Sequence, residues 1–285
     1  MPDIVIHAVT AAGYAGLAWH FWNSRWRAQP AGTAAPGGGL RPWERAAILA
    51  PLALHGWLLH AALFAGELRF GFAHALSAML WLAVLLCWIE NLFLRIAAIY
   101  PIALAAAAVC APLTAFFAGR ASAGAISPAF SLHLLFGMLA YSLFMVATMH
   151  AVLISMLDRQ LHGHRPGPHP PSGALLDDPM QGLPPLLSLE RVVFQLTGAA
   201  FLVLTLTIAV GIAYSESIFG RAMRFDHKTV FVVLSWLTFG LLLAGRRLYG
   251  WRGRAAWRWT FAGFALLLLA YPGSRFVMEV LLGRS

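Results

Sequence analysis

Charge is what this chain lacks most. Only 11% of its 285 residues are Asp, Glu, Lys or Arg, and Lys228 is its single lysine. A soluble domain carries about 25% charged residues, so an ordinary water-exposed fold is excluded. Cysteine is nearly absent as well. Cys87 and Cys110 both sit in apolar runs and do not form a CxxC pair. That excludes a thioredoxin-like centre, covalent haem attachment through CxxCH and a cysteine-built zinc site. The two thiols read as small apolar packing groups. Catalytic signatures are missing too: the chain has no GxSxG, Walker loop, HExxH or pair of intramembrane carboxylates. The sequence therefore reads as a non-enzyme.

What is present is hydrocarbon. Hydrophobic residues make up 60% of the chain, and mean hydropathy is +0.73. Eight stretches are long and apolar enough to span a bilayer: 3–22, 44–66, 71–90, 95–118, 128–157, 189–214, 228–246 and 257–281. All are expected to be helical, because unpaired backbone is too costly in lipid and no run alternates like a barrel strand. The fold class is all-α, a polytopic membrane bundle forming a single domain over 1–285. The linkers 23–43 and 158–187 are rich in Pro, Gly or Ala and are expected to be irregular.

The net charge of +9 orients the helices rather than binding nucleic acid, because the basic residues interrupt apolar spans instead of forming one face. Counting alternate loops puts thirteen Arg on one side and seven Arg or Lys on the other. The richer side is expected to be cytoplasmic, with both termini outside. Trp19, Trp22, Trp26, Trp43, Trp88, Trp251, Trp257 and Trp259 fall at that end, as an interfacial belt does. The first apolar run has Asp3 ahead of it and Arg25 and Arg27 behind. It is read as a retained helix, since a secretory signal has the opposite polarity.

Eleven histidines are a large allotment for so greasy a chain. His7, His60, His74, His133 and His227 are expected in the outer half, where neutral imidazole suits a metal or haem iron. A histidine inside a helix also serves as a plain interhelical hydrogen bonder. His162, His164 and His169 lie in the Pro-rich linker and read as solvated.

The polar chemistry concentrates at 214–228. Arg221, Arg224 and Lys228 are placed to clamp an anion there, and Asp226 to cap the helix that follows. Arg275 and Glu279, four apart in the last span, are expected to pair, with Arg275 alternatively reaching a ligand carboxylate.

Phe225-Asp226-His227-Lys228-Thr229, the span with Trp236, and Gly250-Trp251-Arg252-Gly253-Arg254 together resemble the integral-membrane cytochrome c assembly family of the CcsA/CcmC type. Leu132-His133-Leu134 with Tyr141 resembles the family helix bearing an outer axial histidine, and Ser188-Leu189-Glu190-Arg191 the entry to a later span. The family's outer tryptophans are absent, His227 stands at its motif proline, and Val280-Leu281-Leu282 replaces its second outer histidine. That pattern resembles the short YpjD-like branch.

The resemblance implies a bacterial inner-membrane protein holding haem b non-covalently for haem handling or cytochrome c maturation. It implies His133 as the iron ligand and His227 as a candidate second one. Phe225 would form part of a flat slab, and Arg224, Lys228 and Arg275 would provide cations, with His74 nearby. Expected partners are the lipid bilayer and other cytochrome c maturation or membrane transport proteins. The rival reading is a non-haem accessory protein, a scaffold for an ion transporter with a degenerate haem shelf.

Overall fold

A computed structural model describes residues 2–27, 39–64, 69–117, 119, 128–163, 186–219 and 226–283. Among these, eight helical stretches are long and apolar enough to cross a membrane. They are α1 (Pro2–Phe21, continued by a π-turn Trp22–Trp26), α2 (Pro42–Phe64), α3 (Phe72–Leu94), and a broken fourth made of Ala97–Ile99, α4 (Tyr100–Cys110) and α5 (Leu113–Phe116). Then come α6 (Pro128–Gly163), α7 (Leu186–Phe219), α8 (His227–Tyr249) and a last span that starts as α9 (Arg254–Leu268).

The expected spans are all found with shifted ends, most of them longer and the fourth shorter, at Ala97–Phe116. The largest difference is α6, which runs to Gly163 rather than stopping near 157. The fourth span breaks because Pro112, which has no N–H to donate, sits between Cys110 and Leu113.

Lipid gives helices no hydrophobic reason to associate, so close packing and interhelical hydrogen bonds must do it. Both are visible. Phe144 of α6 stacks on Phe239 of α8 with ring centroids 3.8 Å apart. A Cβ on Gly263 of α9 would come within 2.8 Å of that Phe239 ring, so the small residue sets how closely α9 approaches. Polar contacts join these helices and add α3 and α2 to them. Tyr141 donates to the Leu267 carbonyl at 2.8 Å, Ser235 to Gly263 at 2.9 Å and Ser142 to Met79 at 3.2 Å. Trp81 of α3 donates to Leu52 of α2 at 2.8 Å. The core is continuous from Tyr14 and Phe21 through Leu104 and Phe144 to Leu267.

One end of the bundle is closed by a buried carboxylate. Glu44, fully buried, accepts from His20 Nε2 at 3.0 Å, Arg25 Nη2 at 2.9 Å and the Arg41 amide at 2.7 Å. Three donors on one buried carboxylate satisfy the requirement that an enclosed charge be paired.

Candidate cofactor-binding site

The last span is helical but not regularly so. After α9, π-turns at Leu269–Gly273 and Val277–Leu281 bracket one short turn, α10 (Ser274–Phe276). Pro272 lies inside the first π-turn, where its missing N–H removes a ladder bond. Such bulges are frequent at functional sites.

Tyr271, Arg275 and Glu279 follow at four-residue intervals. Glu279 Oε2 lies 3.4 Å from the amide of Phe72, the first residue of α3. The N-cap residue of α3 is Gly71, which has no side chain to cap its own helix. Its lack of a Cβ is needed, because one would lie 2.8 Å from Glu279 Oε2 and 2.9 Å from the Gly119 Cα. Glu279 is thus divided between the α3 terminus and Arg275, whose Nη1 is 3.9 Å from Oε1. The expected Arg275–Glu279 pair exists, at long range.

Two cations share the Tyr271 ring. Lys228 Nζ is 5.9 Å from its centroid and Arg275 Cζ is 5.8 Å, both within cation–π range. Arg275 Nε is buried without a hydrogen-bond partner. Lys228 is held there by the first turn of α8, which Asp226 caps as expected, accepting from the Thr229 amide at 2.9 Å. Partial burial pushes the Asp226 carboxyl up, but the Thr229 hydrogen bonds and the charges of Lys228 and His227 outweigh it. The net effect holds it below the usual carboxylate range. His227 itself begins α8 and is exposed.

Four of the intramembrane histidines fall in two places. His133 of α6 faces α7, with Nδ1 3.0 Å from the Thr207 carbonyl. A carbonyl only accepts, so Nδ1 carries the proton, and in the neutral ring it is Nε2 that keeps a lone pair, the form that ligates a metal. Gly211, one turn beyond Thr207, makes room: a Cβ there would be 2.9 Å from His133 Cε1.

His7, His55 and His74 lie instead among α1, α2 and α3. His7 Nδ1 donates to the Ala111 carbonyl at 3.1 Å, and His55 bridges Tyr14 Oη at 3.3 Å and Ser77 Oγ at 2.7 Å. These are interhelical hydrogen bonds of the ordinary kind. His74 is buried with Nδ1 unpartnered, 3.1 Å from where a Gly119 Cβ would be. Gly119 touches Gly71, so His74 borders the same corner as Glu279 and Arg275. The fold therefore brings Lys228, Arg275 and His74 to one end of α3, α8 and the last span. His133 stands on the α6–α7 contact. Phe225 and Arg224 lie outside the described residues.

Sequence reasoning missed one feature here. Glu90 of α3 meets His150 of α6 at 3.0 Å in the interior. Glu90 is an acid inside an apolar run, which by itself signals an interior partner.

Comparison with known proteins places the chain. The family described as Cytochrome C assembly protein matches residues 45–282. The chain is 30% identical to the inner membrane protein YpjD of Escherichia coli (strain K12) over 155 residues, 54% of each chain. It is 35% identical to an uncharacterized 28.8 kDa protein of Azospirillum brasilense over 152 residues, 53% of this chain and 52% of that one. Identity to the cytochrome c biogenesis protein CcsA of Synechococcus sp. (strain JA-3-3Ab) is 26% over 131 residues, 46% and 38% of the two chains. The matches to YpjD and the Azospirillum protein thus span about half the length of those relatives. No solved structure matches.

Proposed function

The chain belongs to the cytochrome c assembly protein family, and from that premise we propose that it is a haem-binding inner-membrane protein engaged in haem handling or cytochrome c maturation. It acts as a carrier or assembly factor, and 1–285 works as one domain. The relatives described as an inner membrane protein and as cytochrome c biogenesis proteins support this reading. So do the eight apolar helices.

The observation that carries it is the state of His133. Its Nδ1 proton is committed to the Thr207 carbonyl, which orients the ring and leaves Nε2 basic. The cation pair fits the group as well. Lys228 and Arg275 flank one ring, Glu279 is shared between Arg275 and the α3 terminus, and Arg275 Nε stays unpartnered. Two cations against one carboxylate leave a net positive charge, which suits the carboxylates of a porphyrin. Haem b would be held non-covalently by His133 on iron and by Lys228 and Arg275 on the propionates, with Phe225, Arg224, His227 and His74 bordering it. The iron supplies the redox-active centre when bound. The chain's own residues bind it, orient it and exclude water.

An absorption spectrum of protein purified in detergent after expression with ample haem tests this. A Soret band that weakens in His133→Ala is the expected result. A colourless wild-type protein overturns it and leaves the non-haem accessory role. The proposed orientation has both termini outside, so a reporter fused at the C-terminus should score as periplasmic.

A further inference from the structure

The turn joining α8 to α9 is unusually basic, and the structure fixes it from three sides. Gly250 and Gly253 take positive φ angles of 66° and 58°, which tighten the chain reversal. Trp251 folds back on α8, so that a Cβ at Gly245 would lie 2.5 Å from its ring. Arg246 donates to the Trp251 carbonyl at 3.2 Å and its guanidinium sits 4.6 Å from the Phe194 ring centre. The Gly253 amide donates to Glu190 Oε1 at 2.8 Å, tying the turn to the start of α7. Arg254 meets Asp158 of α6 at 3.6 Å.

Two acids among the described residues meet the turn. Glu190 is committed to a backbone amide and Asp158 to Arg254. Arg247, Arg252 and Arg258 remain exposed, and no carboxylate among the described residues pairs with them. Trp251 and Trp259, 5.4 Å apart, lie in the same turn and the helix that follows, and such rings prefer headgroup depth. The backbone of the turn is fixed, so three exposed guanidiniums without a carboxylate partner are presented from one hairpin. Guanidinium is also the side chain whose geometry matches phosphate oxygens.

We propose that Arg247, Arg252 and Arg258 form a docking surface for the headgroup phosphates of acidic phospholipids. It is independent of haem and lies beside the α6–α7 helix pair through Glu190 and Asp158. Occupancy by an anionic lipid would hold α6, α7 and the last two spans in one arrangement.

The test is native mass spectrometry of the full-length chain released from detergent, titrated with phosphatidylglycerol or with phosphatidylcholine. Wild type should retain phosphatidylglycerol preferentially. Each of Arg247→Gln, Arg252→Gln and Arg258→Gln should weaken that preference by roughly fivefold, the size expected per basic residue at a charged membrane surface. Raising salt on the wild-type protein should erode it in parallel. The salt titration needs no variant and so survives a failure of any variant to insert. Equal retention of both lipids by wild type overturns the proposal, as does a preference that persists unchanged in the variants or at high salt.

Discussion

His150 Nε2 stands 3.0 Å from Glu90 Oε1, an acid–base pair enclosed between α3 and α6. His150 Nδ1 is spent on the Val146 carbonyl of its own helix at 2.9 Å, so the ring can turn only its other nitrogen to Glu90. Removing one partner leaves the other buried and uncompensated, which typically costs about 3–5 kcal/mol. Glu90→Leu alone should therefore lower the unfolding midpoint in detergent sharply. Glu90→Leu combined with His150→Leu should recover most of the loss. If the double variant is as unstable as the sum of the singles, the two side chains are not coupled.

The contact between Gly263 and Phe239 makes a packing prediction. Gly263→Ala forces a methyl to within 2.8 Å of the ring atoms that stack on Phe144. Overpacking of this sort costs ~1–3 kcal/mol. Shortening the ring in a Gly263→Ala, Phe239→Leu double variant should restore part of it. Thermal unfolding of the three proteins in one detergent decides the matter.

Asp226 gives a pH dependence with a definite sign. Its carboxyl is held below the usual range in the folded chain, so its capping contribution is complete above about pH 4, the ordinary carboxylate value. It is lost as pH falls through the lower folded-state value. Asp226→Ala should cost ~1 kcal/mol at neutral pH, the usual worth of an N-cap. The difference between variant and wild type should shrink in acid, as measured by thermal unfolding across pH.

Gly211 has no ligating side chain, yet it should matter to cofactor retention through His133. An alanine there meets His133 at 2.9 Å and pushes the imidazole off the Thr207 carbonyl. Under the haem reading, Gly211→Ala shifts or weakens the Soret band, and Gly198→Ala, with open space around it, leaves the spectrum unchanged. An unaltered spectrum in Gly211→Ala would separate His133 from the iron.

The fold was largely legible because lipid leaves the chain few options. Runs of about 20 apolar residues must be helices, and the loops between them carry the Arg, Pro and Gly. All eight spans were therefore visible in order, and only their ends moved. The Asp226 cap was legible for a related reason, since it acts on residues three positions away. His133 is singled out by a local pattern, but its partner Thr207 is 74 residues on.

What sequence alone determined is the helix count, the helical class and the family's residue patterns, all of which depend on near neighbours along the chain. Tertiary structure alone decided that Glu279 caps a helix 207 residues upstream, that His133 turns to α7 while His7, His55 and His74 gather elsewhere, and that Lys228 and Arg275 converge on one tyrosine. Helical periodicity says which side chains share a face but not which face another helix will meet. That choice is made by close contact at residues such as Gly71, Gly211 and Gly263, where the missing Cβ lets one particular neighbour in.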